Sequence, residues 1–189
     1  SKRKKNKFKI YKMKCTSNNL FKYSIKIICF ILSFYLLESI YKYTLLLYDN
    51  EIVLKVKGTG ATTTIINSKF KSQISSIYVK GYPVDVNSQV NLSFTENDVR
   101  LVFSSAVTSC NSMFNGCSQI IEIDLTNFIS SNVGNIDHMF NGCTLLKSIK
   151  FGNFNTSKLN IMEYIFQNCI SLETLDLSSF DTSEVTDFH

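Results

Sequence analysis

Cys117, Cys143 and Cys169 stand 26 residues apart in succession, and their surroundings repeat with them. Met113-Phe114-Asn115-Gly116-Cys117 recurs as Met139-Phe140-Asn141-Gly142-Cys143, and more loosely as Ile165-Phe166-Gln167-Asn168-Cys169. A fixed period of about 20–50 residues marks a stacked repeat array. Such an array offers an extended surface for binding and no obvious pocket for chemistry. One 26-residue unit buries about eight large apolar side chains, worth roughly 1.5–3 kcal/mol each. Ordering it costs on the order of 1.5 kcal/mol per residue. A lone unit therefore does not fold, and neighbours must share the burial.

Within each unit two patterns alternate. Ile120-x-x-Ile123-x-Leu125-x-x-Phe128, Leu146-x-x-Ile149-x-Phe151-x-x-Phe154 and Leu172-x-x-Leu175-x-Leu177-x-x-Phe180 carry a short strand with alternate residues inward. Polar turns follow at Ser130-Ser131, Thr156-Ser157 and Thr182-Ser183. Val133, Ile136, Met139, Phe140 and Cys143 then recur in steps of three and four, the spacing of one helical face. Each unit is expected to be strand, turn, short helix, turn.

The pattern M-F-x-G-C-x-x-L-x-x-L-D-L-S-x-F-D-T-S-x-V-T resembles the BspA-type leucine-rich-repeat surface proteins of bacteria and protists. Leu175 to Thr186 follows it most closely, and the resemblance covers about residues 107–189. Lys150-Phe151-Gly152 departs from it, standing where Asp-Leu-Ser is usual. The resemblance implies a secreted or surface-anchored protein that binds a protein or matrix partner, and it brings no catalytic residues. The expected fold class is α/β: a leucine-rich-repeat solenoid of 26-residue strand–turn–helix units, preceded by a small β-rich cap and an N-terminal hydrophobic helix. The repeat pattern stops at His189 without the helix of its last unit, so a chain truncated at its C-terminus is expected, with further repeats beyond it.

The remainder divides by charge and hydropathy. Residues 1–26 hold ten of the chain's 20 Lys and Arg and none of its 15 acids, a basic arm of net +10 ahead of a body of net −5. Residues 27–48 begin with the uncharged run IICFILSFYLL. As a helix the 22 residues reach about 33 Å, enough to span a bilayer core. Glu38 and Lys42 oppose insertion, at roughly 2.5–3.5 kcal/mol each, and their spacing lets them pair on one face. A signal-anchor helix and a cleaved signal peptide both fit, and both export the remainder of the chain. The positive-inside rule then places the arm in the cytosol. The expected localisation is the cell surface, single-pass with extracellular repeats, or secreted after cleavage. Beside a hydrophobic run, the arm's lysines and aromatics suit anionic lipid, so membrane contact through 27–48 is expected and nucleic acid is not.

Residues 49–106 lack the repeat and read as the β-rich cap. Ile52, Leu54 and Val56 alternate with Lys55 and Lys57 as in a half-buried strand, and Val90–Phe94 and Val99–Phe103 offer others.

No enzyme, cofactor or metal is expected. One cysteine per repeat forms a line, whereas a zinc site gathers four ligands at one point. Their neighbouring phenylalanines make the thiols small buried hydrophobes. His138, matching Tyr164, reads as a boundary residue. Asn91-Leu92-Ser93 and Asn155-Thr156-Ser157 are glycosylation sequons. The candidate binding residues are the outward strand positions: Glu122 and Asp124, Ser148 and Lys150, Thr174 and Asp176. Stacking sets them side by side as a polar ridge. The expected function is adhesion or recognition through that ridge; the alternatives are a self-associating surface coat and a cytosolic repeat scaffold.

Overall fold

The computed structural model describes residues 50–186. The basic arm 1–26 and the hydrophobic segment 27–48 lie outside them, as do residues 187–189. The described residues form one compact unit.

Eight strands follow in order: β1 Glu51–Lys57, β2 Thr62–Thr64, β3 Ile74–Val79, β4 Tyr82–Val84, β5 Gln89–Asn91, β6 Glu96–Phe103, β7 Ile120–Asp124 and β8 Ser148–Lys150. Six make one mixed sheet in the order β4-β3-β6-β1-β7-β8, while β2 and β5 pair separately. All pairings are antiparallel except β7–β8, which is parallel. The alternation in β1 sends Ile52, Leu54 and Val56 into the core, where they are fully buried with Val99 and Leu101 of β6. The first repeat enters the same sheet because β7 pairs with β1, with Leu54 opposite Ile123. One hydrophobic core therefore runs from the non-repeated strands into the repeats.

The fold class departs from the expected helix-bearing solenoid. The chain is a mainly β domain, and its helical structure among the described residues is a six-residue 3₁₀ segment, Ser68–Gln73, outside the repeats. The stretches read as helices are runs of turns, for two reasons. Ser112, His138 and Tyr164, each 26 residues on, have φ of 56, 54 and 49°, and Gly116, Gly142 and Asn168 have φ of 75, 74 and 61°. Two left-handed residues within five break any right-handed helix. The backbone donors also point elsewhere. Cys110, Ser112, Phe114 and Gly116 donate their N–H groups to the carbonyls of Asn135, Asp137, Met139 and Asn141 in the next repeat, at 2.7–2.8 Å. The N–H groups between them close local turns, as Met113 does on Cys110 and Cys117 on Phe114. An α-helix would direct all of them four residues back. The three-and-four spacing does place its apolar residues inward: Val133, Ile136, Met139, Phe140 and Cys143 are all buried.

The expectation of a single-pass surface protein with a signal-anchor is likewise corrected. No helix among the described residues is long and apolar enough to cross a membrane, and the segment assigned that role is outside them.

Consecutive repeats lie in register. Phe114, Phe140 and Phe166 stack at centroid separations of 5.9 and 5.8 Å, and Phe128, Phe154 and Phe180 at 6.2 Å each. Parallel bridges join Ser109 to Asn135, Asn135 to Ile161 and Ser148 to Thr174. Buried hydroxyls stitch the turns: Ser130 Oγ accepts the N–H of Asn155 at 2.6 Å, and Thr156 Oγ1 that of Asp181 at 2.7 Å.

The repeat cysteines are free thiols. The Cys143 thiol donates to the Phe114 carbonyl at 3.2 Å and the Cys169 thiol to the Phe140 carbonyl at 3.1 Å. Burial pushes the Cys117 thiol up to about 12 and raises those of Cys110, Cys143 and Cys169 as well. A thiol held neutral is a poor nucleophile. Cys169 is only half-buried, less than the sequence reading required of it. In the folded, unreduced protein, a maleimide is expected to modify Cys169 well before Cys110, Cys117 and Cys143, with sites assigned by peptide mass spectrometry. Equal rates at Cys143 and Cys169 would mean that the stack is open where it is described as closed.

Candidate binding face of the sheet

Glu122, Asp124, Ser148 and Lys150 occupy the solvent face of the sheet, placed there by the two-residue period of β7 and β8, while Thr174 and Asp176 lie outside the strands. Glu122 pairs in register with Ser148, Asp124 with Lys150, and Ser148 bridges on to Thr174. Asp176 follows Thr174 by two residues. Inward neighbours Ile123 and Ile149 are buried, so the strand register read from sequence is the one adopted.

The face is wider than the repeats. Lys55 of β1 lies opposite Asp98 of β6 on one side and Glu122 on the other. One row therefore reads Asp98, Lys55, Glu122, Ser148, Thr174. The next row reads Tyr78, Arg100, Val53, Asp124, Lys150. Signs alternate along both rows. Ion pairs join Lys55 to Glu122 and Lys150 to Asp124, each at 3.1 Å. Arg100 lies over the Tyr78 ring at 4.3 Å and pairs with Glu51 at 3.0 Å. A shallow groove of about 320 Å³ crosses the rows, lined by Lys55, Asp98, Glu122, Asp124, Ser148 and Lys150. Sequence reasoning named the repeat half of this face and missed Lys55, Asp98, Arg100 and Tyr78. Their alternation in β1 and β6 was visible; the pairing of β1 with β7 that joins them to the ridge was not.

Three aspartates, Asp124, Asp176 and Asp181, are held ionised by their turns. Burial opposes ionisation of Asp124, but hydrogen bonds from Thr126 and Lys150 outweigh it and lower its pKa. The Ser178 hydroxyl and N–H lower Asp176, and those of Ser183 lower Asp181. A carboxylate whose folded pKa is depressed contributes stability above its unfolded value, near 3.9, and loses it as pH falls through the folded value. The melting temperature is accordingly expected to hold from pH 7 to about 5 and to fall below about pH 4. The triple variant Asp124→Asn, Asp176→Asn, Asp181→Asn should show a shallower fall; an unchanged acid slope would assign that loss to other groups.

The other sequence candidates are apart from this face. Asn91 is exposed on β5 and accepts from the Thr62 hydroxyl at 2.8 Å. Asn155 is exposed in a turn, where its side chain accepts the Ser157 N–H at 2.9 Å. His138 pairs with Asp137 and packs against the Tyr164 ring at 5.0 Å. Among the described residues, no group of three His, Cys, Asp or Glu side chains is placed to hold a metal.

Comparison with curated proteins and with solved structures returns no match. A family profile matches residues 90–189, which begin within β5 and take in β6 and every repeat. That span is more than half of the sequence, and the chain belongs to the family described as Mycoplasma protein of unknown function, DUF285.

Proposed function

We propose that this chain is a non-catalytic recognition module that binds a protein or matrix partner through the outer face of its six-stranded sheet. The observation that carries this is the pair of cross-strand rows whose charged members alternate in sign, Asp98, Lys55 and Glu122 in one and Arg100, Asp124 and Lys150 in the other, from β6 to the second repeat. Alternating charge on such a face fixes the register of a partner and repels mismatched ones. The finer family reading, a BspA-type repeat protein, supports the same role, since the resemblance implies partner binding. Glu122, Asp124, Ser148, Lys150, Thr174 and Asp176 contribute from the repeats, and Lys55, Asp98 and Arg100 from the adjoining strands.

A photo-crosslinking side chain placed at Ser148 tests this against the same probe at Ser157, which is exposed in a turn and belongs to neither row. A discrete crosslinked partner is expected from Ser148 alone. It should weaken at least about tenfold when Lys55 and Lys150 are both changed to Glu, because charge reversal turns attraction into repulsion. The same partner captured equally from Ser157, or indifference to the reversal, would sink the proposal.

A further inference from the structure

The repeats break their own pattern at two positions that are polar in the sibling units. Residues 121, 147 and 173 are equivalent; the second and third are Lys147 and Glu173, but the first is Ile121. Residues 119, 145 and 171 are equivalent as well, and Leu145 stands between Gln119 and Ser171. The register of β7 against β1 shifts between Lys55 and Val56, so that Ile120 joins the core cluster and Ile121 does not.

Ile121 and Leu145 line a notch of about 420 Å³ at the end of the six-stranded sheet where β1 finishes and β6 begins. Phe94, from the loop between β5 and β6, lines it too and is 80% exposed. Gly60 leaves room for that ring, since a Cβ at residue 60 would collide with it. An exposed aromatic ring beside two further apolar side chains in one concavity is the setting of an interface anchor, where a few large side chains carry most of the binding energy.

Charge selects the occupant. Lys57 and Lys147 line the notch, with Glu96 as its one carboxylate. Lys147 pairs with Glu173 at 3.2 Å. Lys80 donates to Ser93 Oγ at 3.3 Å and to Thr95 Oγ1 at 3.4 Å, on the residues either side of Phe94. Among the described residues no ion pair engages Lys57 or Lys80. Two unpaired cations beside an apolar notch fit a segment that carries a large apolar residue next to carboxylates, and they oppose a basic one.

We propose that this notch binds an acidic peptide segment of a partner protein through one large apolar side chain. None of its residues belongs to the two charged rows, and neither proposal depends on the other. The probe is a phage-displayed library of random short peptides, selected on the full chain. Selected peptides are expected to set Leu, Ile, Met or an aromatic residue beside Asp or Glu. The leading peptide, synthesised with a fluorophore and titrated by anisotropy, should bind at least about tenfold more weakly to Phe94→Ser and to the double variant Lys57→Glu, Lys80→Glu. All three side chains are exposed, so the variants should melt with the parent. Lys150→Glu, on the sheet face, should leave the affinity unchanged; an equal loss there would put the peptide on that face and overturn the proposal. Selection no stronger than on the Phe94→Ser chain, or selected peptides without acids, would overturn it too. So would Phe94-dependent binding of the chain to vesicles of anionic phospholipid, since a lipid surface would then be the occupant.

Discussion

Replacing Phe140 with alanine is expected to destabilise the domain by about 3–5 kcal/mol, the range for removing a buried ring and leaving a cavity. Phe140 is fully buried, with Phe114 and Phe166 on its two faces, each within 4° of parallel. Its edge meets Phe151 at 6.3 Å and 73°. Few neighbours can collapse into the gap, because Phe114 and Phe166 are held by the register of their own repeats. Phe166→Ala is the control. That ring is half-buried and has one stacked neighbour, so its loss should cost less by about 1 kcal/mol or more. Urea unfolding at equilibrium measures both, provided the slope against denaturant is unchanged. Equal costs would show that the third repeat is covered in solution.

This aromatic column could be placed from the sequence because it depends on period alone. Identical residues 26 apart must stack if the repeats stack, and Phe114, Phe140 and Phe166 do. The strand register was equally accessible, since burying Ile123 and Ile149 forces Asp124 and Lys150 outward. The helices were not. Steps of three and four fix which side chains face inward but not how the backbone between them is bonded. The Asn-Gly pairs at 115–116 and 141–142 were turn signals. Alternate N–H groups donate to the next repeat, an option that exists only once the neighbour is in place. Non-local bonding of this kind leaves no local pattern to read. The binding face divides in the same way. Glu122 to Asp176 follow from stacking, whereas Lys55 and Asp98 join them through the antiparallel pairing of β1 with β7. No periodicity spans that junction.

Gly152 is where the second repeat departs from its siblings, and Gly152→Ala is expected to cost about 2–5 kcal/mol. Thr126 and Ser178 hold the matching positions in the repeats on either side. Two effects add. The residue has φ of +58°, a left-handed conformation that costs an L side chain roughly 1–2 kcal/mol. A Cβ there would also lie 2.6 Å from Thr126 Oγ1 and 2.7 Å from Thr126 Cα. The second contact is backbone in the preceding repeat, so it cannot be relieved by rotating a side chain, and overpacking of this kind costs about 1–3 kcal/mol. Gly116→Ala separates the terms. Its φ is +75°, yet an added Cβ meets nothing within 4 Å, so it carries strain without collision. That variant should lose only about 1–2 kcal/mol. The difference between the two then measures how closely the second repeat presses on the first at Thr126. If Gly152→Ala and Gly116→Ala unfold at the same urea concentration, the repeats are not in contact there. The glycine would then be a consequence of its turn alone, and Lys150-Phe151-Gly152 would owe nothing to stacking.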